Sequence, residues 1–123
     1  MKFLALLSCC ISWLHASEHA TRDAWVAKHG GEAEVRLADG TRADIVTDRH
    51  AVEVEFAEKW HQAVGQALWY AYQTNKKPGI LLVYRKPEDK RYLIRLNSLI
   101  SHYNLAITVA TTREIKIPKT AKK

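Results

Sequence analysis

The chain has 123 residues, enough for one ordinary domain and too few for two. Hydrophobic residues at 47% and charged residues at 26% exclude a disordered polyelectrolyte. The formal net charge of +6 suits a polyanionic partner as well as plain solubility. The only two cysteines, Cys9 and Cys10, are adjacent, which excludes a disulfide framework and a cysteine-rich zinc site.

The N-terminus has the pattern of an address. Lys2 supplies a positive start, Phe3 to Leu14 form an apolar run, and Leu14-His15-Ala16 precede Ser17 as a cleavage site. The run is too short to cross a bilayer, which takes about 20 residues. A signal peptide over 1–16, a domain over 17–112 and a basic tail over 113–123 are expected. The protein would then be periplasmic or secreted, with no stable membrane insertion after cleavage. The competing reading keeps it cytoplasmic and treats the apolar run as a buried element.

Ser17 to His29 reads as a helix, with Ser17 or Thr21 as cap and Gly30-Gly31 as its end. Glu34 to Ala38 alternates like a strand. Asp39-Gly40 is a hairpin signal, and Thr41 to Thr47 is the returning strand. After a turn at Asp48-Arg49-His50, Ala51 to Phe56 alternates strictly. Val52, Val54 and Phe56 face one way, and Glu53 and Glu55 the other.

From Ala57 to Asn75 the period becomes helical, with Trp60, Ala63, Val64, Ala67, Leu68 and Ala71 as the apolar stripe. Lys59, Gln62, Gln66 and Gln73 fall elsewhere on that helix. Lys76-Lys77-Pro78-Gly79 reads as a break, and Ile80 to Tyr84 as a strand buried on both faces. Pro87-Glu88-Asp89 open a further helix striped by Leu93, Leu96, Leu99, Ile100 and Tyr103. Asn104 ends it, and Leu105 to Ala110 is the last strand. The order α-β-β-β-α-β-α-β implies an α/β fold, a mixed sheet with helices on both faces.

In such a sheet Glu53 and Glu55 are costly unless something compensates them. Asp44, nine residues before Glu53 and across a tight turn, can lie beside it. Three carboxylates at one end of a sheet repel one another but become favourable together around a divalent cation. Mg²⁺ takes oxygen ligands, keeps several waters and suits phosphate chemistry. The competing reading is an ordinary half-buried strand with its glutamates in water.

With Asp44 in the second strand and Glu53-Val54-Glu55 in the third, the sequence resembles the PD-(D/E)xK, or restriction-endonuclease-like, superfamily. The stretch from Gly30 to Ala71 is similar to small uncharacterised bacterial proteins of that fold. The resemblance implies a metal-dependent nuclease. Asp44 would match the metal-binding aspartate and Glu53 the acid of the (D/E)xK element, with Mg²⁺ or Mn²⁺ as cofactor. Glu55 stands where the lysine usually stands, as a further ligand or a base. Lys59 could reach back to supply the missing cation. Glu18 matches the first-helix glutamate of the superfamily, with Glu32 and Glu34 as alternatives. Gln62 and Gln66 match the helix glutamines that often line the site.

The implied partner is nucleic acid, and a homodimer is a further expectation. The alternative is a degenerate module that binds nucleic acid or a protein without cleaving. The six histidines show no zinc-protease spacing, and the serines no nucleophile-elbow context. Trp25, Trp60 and Trp69 read as core or near-core aromatics, one of which could stack on a base at a groove. Lys76-Lys77 and Arg85-Lys86 with Lys90-Arg91 are placed on loops that could follow a phosphate backbone.

Overall fold

The computed structural model describes residues 17–112. The expected signal peptide and basic tail both lie outside the described residues. Ten elements follow in order. They are α1 (Glu18–His29), β1 (Glu32–Arg36), β2 (Arg42–Val46), β3 (His50–Phe56), a 3₁₀ turn (Ala57–Lys59), α2 (Trp60–Thr74), β4 (Lys77–Val83), a second 3₁₀ turn (Pro87–Asp89), α3 (Lys90–Tyr103) and β5 (Thr108–Thr111). The fold is α/β, and the expected element order is observed.

The five strands form one mixed sheet in the order β1-β2-β3-β4-β5. The first three are antiparallel neighbours; β3, β4 and β5 run parallel. Parallel neighbours need a crossover, and α2 and α3 supply the two crossovers.

Local chemistry explains the boundaries. The Ser17 hydroxyl caps α1 by accepting from the Ala20 N–H at 3.0 Å. Asn75 and Asn104 end α2 and α3 in the left-handed region that asparagine tolerates. The Asp89 carboxylate accepts from the Arg85 N–H at 2.7 Å and so ties the turn before α3.

β4 begins at Lys77, three residues before the strand expected from Ile80, because Pro78 and Gly79 do not break it. The Lys77 N–H donates to the Arg49 carbonyl, and Pro78 sits opposite Ala51 in the ladder. Gly79 suits the close packing there: a Cβ would lie a tight 3.1 Å from Val52 Cγ2.

Each face of the sheet has its own core. Ile45, Val52, Val54, Leu81 and Val83 pack with Trp25 and Val26 of α1. On the other face Ile80 and Leu82 pack with Ala63 and Ala67 of α2, and with Leu96 of α3. Leu81 is buried in the first core. Leu81→Ala is expected to cost about 3 kcal/mol in urea unfolding. Ile94→Ala, on the exposed side of α3, should cost under about 0.5 kcal/mol.

Candidate active site

Alternation along β3 sends Val52 and Val54 to the α1 face and Glu53 and Glu55 to the α2 face, as the sequence predicts. Glu53 pairs with Ile80 and Glu55 with Leu82, so both acids share the face that α2 covers. Alanines at 63 and 67 bring that helix close. The glutamates are therefore not a solvated stripe. Glu53 is 5% exposed and Glu55 is 8%.

Asp44 joins them by a break in the sheet. The β2–β3 ladder pairs Ile45 with Val52 and Val46 with Ala51. Next along, the Val54 N–H donates to Asp44 Oδ2 at 2.8 Å. A side chain thus replaces a strand carbonyl, satisfying a buried donor and fixing the carboxylate. Asp44 and Glu53 are close enough to hydrogen-bond carboxyl to carboxyl. Glu18, at the start of α1, hydrogen-bonds with Glu55 and adds its field to Asp44 and Glu53. The Glu55 carboxylate also accepts from the Phe56 N–H at 3.1 Å.

Burial is the first cause of the raised pKa values here, and the neighbouring acids add to it. Glu53 is pushed far above the usual carboxylate range by desolvation, then by Asp44, Glu55 and Glu18. Asp44 is also raised by burial, against the opposing Val54 N–H. Glu55 is pushed up to about 7 by burial and then by Glu18, with Phe56 N–H and Lys59 opposing. Tyr70 on α2 is raised to about 12 by burial and then by Glu53 and Asp44. Among buried side-chain polar atoms of the described residues, Glu53 Oε2 has no hydrogen-bond partner.

Arg22, which sequence patterning does not single out, is buried beside the cluster and lowers Asp44. It bonds Glu34 at 2.8 Å and Asp23 at 2.9 Å. Glu34 holds a positive φ of 53° in β1, an uncommon conformation for a residue with a Cβ. Of the three first-helix alternatives, Glu18 approaches the carboxylates, Glu34 is taken by Arg22, and Glu32 lies exposed on β1. Lys59 is exposed at the foot of α2 and acts on Glu55. Gln62 and Gln66 are exposed on α2, and among the described residues neither hydrogen-bonds to the acids. Leu68 and Trp69, expected in or near the core, are substantially exposed instead.

Among the described residues, no three His, Cys, Asp or Glu side chains converge as a ready metal cage. Mg²⁺ does not require one, since one or two carboxylates and retained waters suffice. The donor set is all oxygen, and Glu53 Oε2 is an orphaned buried acceptor, so Asp44 and Glu53 fit a hard divalent cation. No family model matches the chain, and no match is found among curated proteins or solved structures. Among the described residues no helix is long and apolar enough to cross a membrane. Fold and site define an α/β domain with a buried carboxylate cluster under its α2 crossover helix.

The folded state binds a proton at Glu53 that the unfolded chain releases near 4.5. That stabilisation is complete below the unfolded value and is lost as pH rises toward the folded one. Urea unfolding of the metal-free protein should therefore show lower stability at pH 8 than at pH 5. Glu53→Gln should flatten that dependence and stabilise the protein at pH 8 by on the order of 1–3 kcal/mol. An unchanged pH slope would disprove the assignment.

Proposed function

We infer that the domain is a metal-dependent nuclease of the PD-(D/E)xK type that hydrolyses phosphodiester bonds of nucleic acid. The observation that carries this reading is the gathering of Asp44, Glu53 and Glu55 on neighbouring strands, with Glu18 of α1 adding its field to all three. Unrelieved, such a cluster is costly, and a binding role is the physical reason to keep it. Asp44 and Glu53 would hold Mg²⁺ or Mn²⁺. Bound there, the cation supplies an acidified water and neutralises charge on the phosphate.

The chain's own groups divide the remaining work. The Val54 N–H holds the Asp44 carboxylate in one orientation. Glu55, raised to about 7, can take a proton from water near neutral pH. Lys59 stands near Glu55 and supplies the cation that the Glu55 position lacks. Arg22 limits the repulsion among the acids without leaving its pairs to Asp23 and Glu34. The alternative, a module that binds without cleaving, draws on the same substitution of glutamate for lysine at position 55.

Labelled DNA and RNA, single-stranded and duplex, should be cut with Mg²⁺ or Mn²⁺ and left intact in chelator. Asp44→Asn and Glu53→Gln should each lower the rate at least about a hundredfold while the fold persists, because each removes a charged ligand. Lys59→Ala should lower it by roughly tenfold or more, and an unaffected rate would remove Lys59 from the mechanism. If no nucleic acid is cut under either metal, the binding-module reading replaces this one.

A further inference from the structure

The face of α2 opposite the acids carries a second feature. Trp69 and Tyr72 are stacked, their ring centroids 5.6 Å apart and their planes 20° apart. Trp69 is 47% exposed and Tyr72 is 77% exposed. Trp69 is held in place, and Tyr72 stacks on it. Trp69 Nε1–H donates to Asp39 Oδ2 at 2.8 Å, and the Asp39 N–H donates to Gln73 Oε1 at 3.3 Å. Asp39 is itself kept ionised, lowered to about 2 by the Thr41 hydroxyl and then by Trp69. A large aromatic surface is thus ordered in solvent, although burial would favour it far more.

One helical turn further on, the surface becomes basic. An open cleft of about 440 Å³ is lined by Arg49, Lys76, Lys77, Asn75 and the one acid Asp48. The Asn75 N–H donates to the Tyr72 carbonyl, so the backbone carrying the aromatic pair runs straight into the segment that lines the cleft. Lys76 Nζ donates to the Asp48 carbonyl at 2.9 Å, which ties the lysine to the rim. Arg49 and Lys77 are exposed.

An aromatic face beside a cationic cleft matches the two repeating parts of an unpaired strand, a base and a phosphate. In a duplex the base faces are stacked on one another and closed to a side chain. We propose that Trp69 and Tyr72 form a stacking platform for a base of single-stranded nucleic acid, with Arg49 and Lys77 receiving the adjoining phosphates. The proposal deepens the nucleic-acid reading above and rests on it. The strand is the occupant favoured over a second copy of the chain or a protein surface, because the cleft is predominantly basic and its lining starts at Asn75, three residues after Tyr72.

The test is fluorescence anisotropy of the full chain with labelled single-stranded DNA and RNA oligonucleotides and a matching DNA duplex, in chelator so that nothing is cut. Tyr72→Ala should weaken single-strand binding by about tenfold, Tyr72→Phe should restore it, and duplex binding should change much less. Lys77→Gln should reduce the salt dependence of binding by about one phosphate contact. Unchanged circular dichroism and melting temperature show that the variants fold, as the exposure of both side chains leads one to expect. Equal affinity of wild type and Tyr72→Ala for the single strand overturns the proposal. So does a wild-type dimer that Tyr72→Ala makes monomeric while strand binding persists. Binding through Tyr72 without cleavage under Mg²⁺ or Mn²⁺ sinks the nuclease reading alone. Cleavage indifferent to Tyr72→Ala, with equal affinity, sinks the platform alone.

Discussion

Between β2 and β3 the backbone ladder holds at Ile45–Val52 and Val46–Ala51, and then a carboxylate takes over. The Val54 N–H needs an acceptor because it is buried, and Asp44 Oδ2 provides it at 2.8 Å. That single bond does two things. It keeps β2 joined to β3 where the regular pairing ends, and it delivers a carboxylate to the side of Glu53. The sheet's continuity and the site's geometry therefore depend on the same atom. A chain that replaced Asp44 with an apolar residue would relieve the repulsion but strand a buried donor. The local fold is consistent only while an acid, or its amide, stands there.

The energetics follow from that placement. β3 is a central strand, with β4 on one side carrying the uninterrupted apolar run Ile80 to Val83. Apolar burial on both faces of β4 offsets what the acids of β3 cost. Repulsion is then limited in two ways that the structure makes visible. Protons are favoured, since burial and the neighbouring acids push Glu53 and Glu55 above the usual carboxylate range. Cations are recruited at the margins, Arg22 toward Asp44 and Lys59 toward Glu55. A divalent ion would displace the protons and do the same electrostatic work at neutral pH. On the metal-dependent reading proposed above, proton and metal would compete for one set of oxygens.

Much of this was legible in the sequence, for definite reasons. The V-E-V-E alternation of β3 set which residues share a face, since a period of two is a property of the strand itself. The turn at Asp48-Arg49-His50 placed Asp44 near Glu53 by chain length alone. Whether the acidic face was covered was not legible from β3; it depends on α2, whose small residues at 63 and 67 let it lie over that face. Arg22 carried no pattern, because its burial comes from Glu34 on another element and from a positive φ there. Trp69 is exposed despite its residue type, since its indole N–H finds Asp39 at the surface. Pro78-Gly79 resembled a break because the isolated pair reads that way. In the ladder the proline sits opposite Ala51, and the glycine admits Val52.

The helix α2 makes these separate features one arrangement. Its inner side presents Ala63, Ala67 and Tyr70 to the sheet, and Tyr70 lies within the field of Glu53 and Asp44. Its outer side presents Trp69 and Tyr72. The tip of the β1–β2 hairpin reaches that outer side, where Asp39 accepts from Trp69 and donates to Gln73. The same hairpin carries Asp44 five residues later. Asp39 therefore anchors the loop at α2 while Asp44 anchors the returning strand at β3. Exposed hydrogen bonds at the tip are individually weak, but several converge on Asp39. One hairpin thus touches both the solvent face of α2, through Asp39, and the buried acids, through Asp44.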